Sequence, residues 1–167
     1  TSLKDVIEYL HFALTSEDIN NIAYRLTLKR GFESVVLPKY KTLLKSILDF
    51  SEENIHLPML ARTHGQDAIP TTLGKETCVF ALRLYKEIKK IEKLKLTGKL
   101  SGAVGTYASF TLTYPKTDWI KFSKNFIESF DLEFNILTTQ INPLDDITEY
   151  LQTLHRINSI LLGFNQD

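Results

Sequence analysis

The chain has 167 residues and a mass of 19.2 kDa; it is 43% hydrophobic and 24% charged, with seven glycines and five prolines, which excludes collagen-like, low-complexity and disordered classes. Twenty basic side chains balance 20 acidic ones, which argues against a general binder of polyanions and so against a nucleic-acid partner. The longest apolar runs, Cys78–Leu82 and Ile160–Phe164, have five residues each, against roughly 18 for a bilayer span, so no membrane partner is expected. The single cysteine, Cys78, leaves no intrachain disulfide and fits a reducing, cytoplasmic setting. No basic segment followed by an apolar one marks a secretory signal.

In chain order the dominant period is helical. Ser2 and Asp5 stand at capping-box spacing and open a short helix, and Thr15-Ser16-Glu17-Asp18 repeats that signal. Ile19, Ile22, Ala23 and Leu26 follow as one apolar stripe. Gly31 is a weak point and Pro38 an interruption or restart, after which Tyr40, Leu43, Leu44, Ile47 and Leu48 carry a second stripe to about Phe50. From Ser51 to Pro70 the period is lost among Pro58, Gly65 and Pro70, and the segment is expected to be a loop. Thr71 to Leu96 reads as a long helix with Leu73, Phe80, Leu84, Ile88 and Ile91 on one face. Gly98 to Asp118 is expected to be irregular. Asp118 to Phe130 is an amphipathic helix, and a last helix starts with Asn142 as cap and Pro143 in first position. No alternating pattern is long enough to build a sheet. The expected fold class is all-α, a bundle of long helices, forming one domain over residues 1–167.

Four histidines are candidates for chemistry. None is paired at the spacing of a helical metal site and no cysteine joins them, so no metal is expected. His155 lies on the edge of a helical stripe, where a packing role suffices. His64 differs, because Ala61-Arg62-Thr63-His64-Gly65-Gln66-Asp67 surrounds an imidazole with polar groups, and imidazole is the side chain best matched to proton transfer near neutrality. Thr15 and Ser16 sit where helix caps belong. The same place offers free N–H groups and a positive dipole end, so a cap and a seat for a carboxylate or phosphate are both open readings. Gly98 to Thr106 is glycine-rich but lacks the spacing of a phosphate-binding loop, and a packed glycine turn accounts for it.

Taken together, three segments are more specific. Leu10–Asn21, containing Thr15-Ser16-Glu17-Asp18-Ile19-Asn20-Asn21, resembles a segment of the adenylosuccinate lyases. Arg62–Gln66, continuing through Pro70–Glu76, is similar to the histidine segment of that family, and Gly98–Tyr107 to its glycine stretch. Tyr114–Trp119 and Thr138-Thr139-Gln140-Ile141 extend the likeness nearly to the C-terminus. Asp67 stands where the family often has proline, a form shared with fumarases.

The resemblance implies a member of the fumarase/aspartase superfamily. Such enzymes release fumarate by β-elimination, here from adenylosuccinate and from the succinylated aminoimidazole-carboxamide ribotide of purine synthesis. It implies His64 as the general acid, with Thr15, Ser16, Thr63 and Gln140 binding the substrate, no cofactor, and a homotetramer whose sites draw on three subunits. It also implies that the N-terminal segment, the serine loop and the C-terminal domain lie outside these 167 residues. That expectation agrees with a sequence starting at Thr1 whose one methionine is Met59. Another lyase of the superfamily, or a non-catalytic helical interaction module, remains the alternative.

Overall fold

The computed structural model describes residues 3–167. The Ser2 cap therefore lies outside the described residues. The chain divides into two compact units, one of residues 1–30 and 95–147, the other of 31–94 and 148–167.

The first unit opens with a 3-10 helix, Leu3–Tyr9, and then α1, Ser16–Gly31, whose last residue begins the second unit. Its second segment holds β3, Thr97–Gly98, α4, Ala108–Thr113, α5, Trp119–Glu128, and β4, Glu133–Phe134. Strand β4 runs parallel to β3 with Thr97 opposite Glu133. Ile22, Leu96, Leu100, Ile127 and Leu132 form the buried core, lined by Leu26, Phe126, Phe134 and others. Helix α5 starts as the sequence predicts, with the Asp118 carboxylate accepting the Lys121 N–H at 2.9 Å. Arg25, 1% exposed, donates through Nε and Nη2 to both carboxylate oxygens of Asp146 at 2.7 and 2.8 Å. Asp146 also accepts from the backbone and hydroxyl of Thr97, so this buried pair ties α1 to β3 and to the start of α6, Asp145–Gln166.

The second unit contains a π-helical turn, Phe32–Val36, and α2, Leu37–Glu53, with Pro38 in its first turn. Then come β1, Pro58–Thr63, β2, Gln66–Thr72, and α3, Leu73–Ile91; the C-terminal part of α6 completes it. Helix α2 carries its apolar residues through Ile47 onto Ala81, Leu84 and Ile88 of α3 and Ile157 of α6. At Gly74 the helices touch so closely that a Cβ would lie 2.2 Å from the Ser51 carbonyl oxygen. Salt bridges from Lys41 to Glu92 and from Arg156 to Glu87 lie at the rim of this packing.

Helices dominate, in agreement with the all-α reading, but three expectations are corrected. The segment read as a loop to Pro70 begins with the last turn of α2 and continues as an antiparallel hairpin, β1 against β2. The alternation is hidden because Pro58 opens β1 and Pro70 sits inside β2, which a two-stranded ribbon with exposed edges tolerates. A register shift between Leu60 and Arg62 further breaks the period. Second, the stretch from Gly98 to Asp118 contains the short helix α4. Third, Asn142 does not cap α6, which starts at Asp145. Its side chain is buried, donating to Thr97 Oγ1 at 3.0 Å and accepting from Asn135 at 2.9 Å.

Candidate functional site

In the second unit, β1 and β2 are joined by a loop of only two residues, His64 and Gly65, between the paired Thr63 and Gln66. Both loop residues have positive φ, 53° and 73°. That is the pattern of a type I′ turn, whose twist matches the right-handed twist of the strands. The geometry favours glycine or asparagine at its first position, so a histidine there is held in a sparsely populated backbone conformation. The turn and the flanking Thr63, Gln66 and Asp67 are exposed, so the imidazole stands at the tip of a ribbon rather than in a core. The base of the ribbon is fixed where the Leu73 N–H donates to the Leu57 carbonyl and the Gly74 N–H to the Asn54 carbonyl.

In the first unit, Thr15 stands directly before α1 and Ser16 is its first residue. The capping box is present in one direction: the Thr15 N–H donates to Asp18 Oδ2 at 2.9 Å, so the cap uses the backbone of Thr15 rather than its hydroxyl. The glycine stretch packs against the same carboxylate. Asp18 Oδ1 accepts the Ser101 N–H at 3.0 Å and the Gly102 N–H at 3.2 Å, and Oδ2 also accepts the Gly102 N–H at 3.2 Å. Lys99 Nζ lies 2.9 Å from Asp18 Oδ1 and donates to the Gly102 carbonyl at 2.8 Å. Both charged groups are fully buried. Asn21 holds the same stretch, accepting the Lys99 N–H at 2.9 Å and donating to its carbonyl at 3.1 Å.

At its far end the stretch meets the segment that carries Gln140. Ser101 Oγ and Thr138 Oγ1 are 3.1 Å apart. Gly105, at φ 75°, lies so close that a Cβ would sit 2.1 Å from the Thr138 carbonyl oxygen. The glycine stretch is thus wedged between the start of α1 and the Thr138–Thr139 segment, with exposed Gln140 immediately beyond. Gly98 and Gly105 serve close approach and Gly102 a positive φ, which agrees with the packed-turn reading. Sequence reasoning missed Asp18 and Lys99, 81 positions apart, because a carboxylate in a first helical turn and a lysine after a glycine have ordinary explanations.

Thr15, Ser16 and Gln140 therefore belong to the first unit, and Thr63 and His64 to the second. Among the described residues four that are not glycine have positive φ, and three of them, Ala13, His64 and Tyr107, lie in or beside the motif segments. Backbone strain of this kind collects where function requires a particular geometry. Among the described residues no group of three or more His, Cys, Asp or Glu is placed to hold a metal ion, and no helix is long and apolar enough to cross a membrane.

A helix-rich chain with strained, polar turns at the start of α1, at the hairpin tip and along the glycine stretch fits a class of helical lyases. The lyase family model matches residues 2–167, and the chain belongs to that family. It is 42% identical to the adenylosuccinate lyase of Haemophilus influenzae and 41% identical to that of Escherichia coli K12. In each case the match covers 99% of this chain and 36% of the relative. The adenylosuccinate lyase of Legionella pneumophila is 43% identical with the same coverage. The chain thus spans about a third of the length of the curated relatives it matches. Among solved structures, a fumarate lyase from Mesorhizobium superposes with a TM-score of 0.83 at 24% identity, over 96% of this chain and 37% of that one. A β-carboxy-cis,cis-muconate cycloisomerase from Acinetobacter calcoaceticus gives 0.81 at 24% identity, over 98% and 37%. These two likenesses concern the fold, and the motif-based resemblance to adenylosuccinate lyases is borne out by the sequence relatives.

Proposed function

We propose that this chain is the central helical part of an adenylosuccinate lyase. The observation that carries the reading is its identity of 41–43% to enzymes of that name along almost its whole length. In the proposed reaction a base removes the proton on the carbon β to the leaving nitrogen. The electron pair forms the carbon–carbon double bond of fumarate as the C–N bond breaks, and His64 donates its proton to the departing nitrogen. Acid catalysis of this kind contributes about 10²- to 10⁴-fold. Thr15 and Ser16 hold a substrate carboxylate at the start of α1, where hydroxyls and the helix dipole favour an anion. Thr63 and Gln140 hydrogen-bond the substrate. The chemistry needs no cofactor. The products are AMP from adenylosuccinate and the carboxamide ribotide from the second purine intermediate, and the proposed setting is cytoplasmic purine synthesis.

The base is supplied from outside these residues, and the site is completed in a homotetramer. Exposed apolar side chains on α2 and α3, Leu48, Val79, Leu82 and Tyr85 among them, support subunit packing through the second unit. The direct test offers the whole protein adenylosuccinate, argininosuccinate and malate in parallel and measures fumarate. Release from adenylosuccinate alone supports the proposal, and release from either of the others in its place overturns it.

A further inference from the structure

The Asp18–Lys99 pair has more contacts with the site segments than a core ion pair requires. One carboxylate receives N–H groups from Thr15, Ser101 and Gly102, which belong to two segments more than 80 positions apart. Four hydrogen bonds converge on two oxygens, and Lys99 neutralises the charge so that a buried carboxylate can lie behind a region that would receive an anion. The backbone also takes unusual conformations around the carboxylate: Ala13 has φ 58°, Gly102 has φ 79°, and Tyr107, whose N–H donates to the Ser101 carbonyl, has φ 59°.

We infer that Asp18 is a positioning residue for dicarboxylate binding, aligning the start of α1 with the glycine stretch so that Thr15, Ser16 and the Thr138–Gln140 segment form one surface. The inference rests on the proposed lyase site and names the group that holds its first-unit half in register. Asp18 acts through the backbone of its neighbours. A side-chain amide in its place would turn an N–H₂ toward N–H donors and leave Lys99 buried without a counter-charge, so Asp18→Asn disturbs the alignment although its size is unchanged. Gly102→Ala approaches the same point from the other side. Its added Cβ meets Phe110 at 3.4 Å, an ordinary contact, but the left-handed backbone there resists a side chain, so the stretch shifts while both charges stay.

The test measures succinate affinity by calorimetry and amide hydrogen exchange at residues 15, 101 and 102 in the whole protein and both variants, with the Michaelis constant for adenylosuccinate measured alongside. Each variant is expected to weaken succinate binding at least fivefold and raise KM by a similar factor, with kcat within threefold and faster exchange confined to those amides. A conservative Asp18→Glu is expected to recover less than half of the lost affinity. Unchanged succinate affinity in Gly102→Ala overturns the inference even if Asp18→Asn fails to fold, as does a fall in kcat and affinity alike with general loss of protection. If the parent protein binds succinate but releases no fumarate, the lyase reading fails and weakened binding in the variants still upholds the role of Asp18. A parent protein that neither binds succinate nor releases fumarate overturns both.

Discussion

His64 and Gly65 together make the whole turn of the β1–β2 hairpin, both in the left-handed region at φ 53° and 73°. The imidazole proposed for proton transfer therefore rests on a backbone conformation that is uncommon for a residue with a side chain and that the turn demands. This separates the structural and chemical contributions of one residue. Asparagine is well suited to the first position of such a turn, so His64→Asn is expected to leave thermal stability unchanged or slightly higher. Gly65→Ala, by contrast, is expected to cost about 1–2 kcal/mol. Melting curves of the two variants check the ordering, and a destabilised His64→Asn would refute the turn assignment.

Gly74 gives a second, purely structural prediction. A Cβ there would meet the backbone of Ser51 at 2.2 Å and of Ile55 at 2.7 Å, and backbone cannot turn aside as a side-chain tip can. Gly74→Ala is therefore expected to lower stability by at least about 3 kcal/mol, above the usual cost of overpacking. Urea unfolding measures it. A loss below about 1 kcal/mol would show that α2 and α3 do not approach so closely.

The third prediction concerns pH. Burial by itself raises the Asp146 carboxyl, but hydrogen bonds from Arg25 and Thr97 and the guanidinium charge outweigh it, leaving the group below its ordinary value of 3.8. A carboxyl lowered by folding contributes stability that is complete above its unfolded value and is lost as pH falls through the lower native value. Between pH 5 and pH 2 the parent protein is expected to lose that increment, and Asp146→Asn to lack it. Arg25→Met, which leaves the carboxylate buried without its partner, is expected to cost about 3–5 kcal/mol at neutral pH. Denaturant midpoints across the acid range, parallel for parent and Asp146→Asn, would contradict the assignment.

The long helices were legible because their signals are local. Asp118 caps α5 through Lys121, and the Leu84–Ile88–Ile91 stripe of α3 is buried as its spacing implies. The hairpin was not legible, because Pro58 and Pro70 mark breaks in most contexts and only their pairing with Thr72 and Leu60 places them in strands. Asn142 has every local mark of a helix cap, yet Thr97 and Asn135 claim its side chain. For the site, Thr15, Ser16 and His64 stood out by residue type in a polar setting. Asp18 and Lys99 did not, since their meaning lies in a contact across 81 positions that no local pattern carries.

The most direct test of the central claim is the turnover of adenylosuccinate by the whole protein with His64 and with asparagine in its place. Because the turn accepts asparagine, a change in rate reports on chemistry rather than on folding. The expected result is a fall in kcat of about 10²- to 10⁴-fold with KM changed less than threefold and melting temperature preserved. An equal kcat in the His64→Asn variant would contradict the assignment of His64 as the acid that protonates the leaving nitrogen.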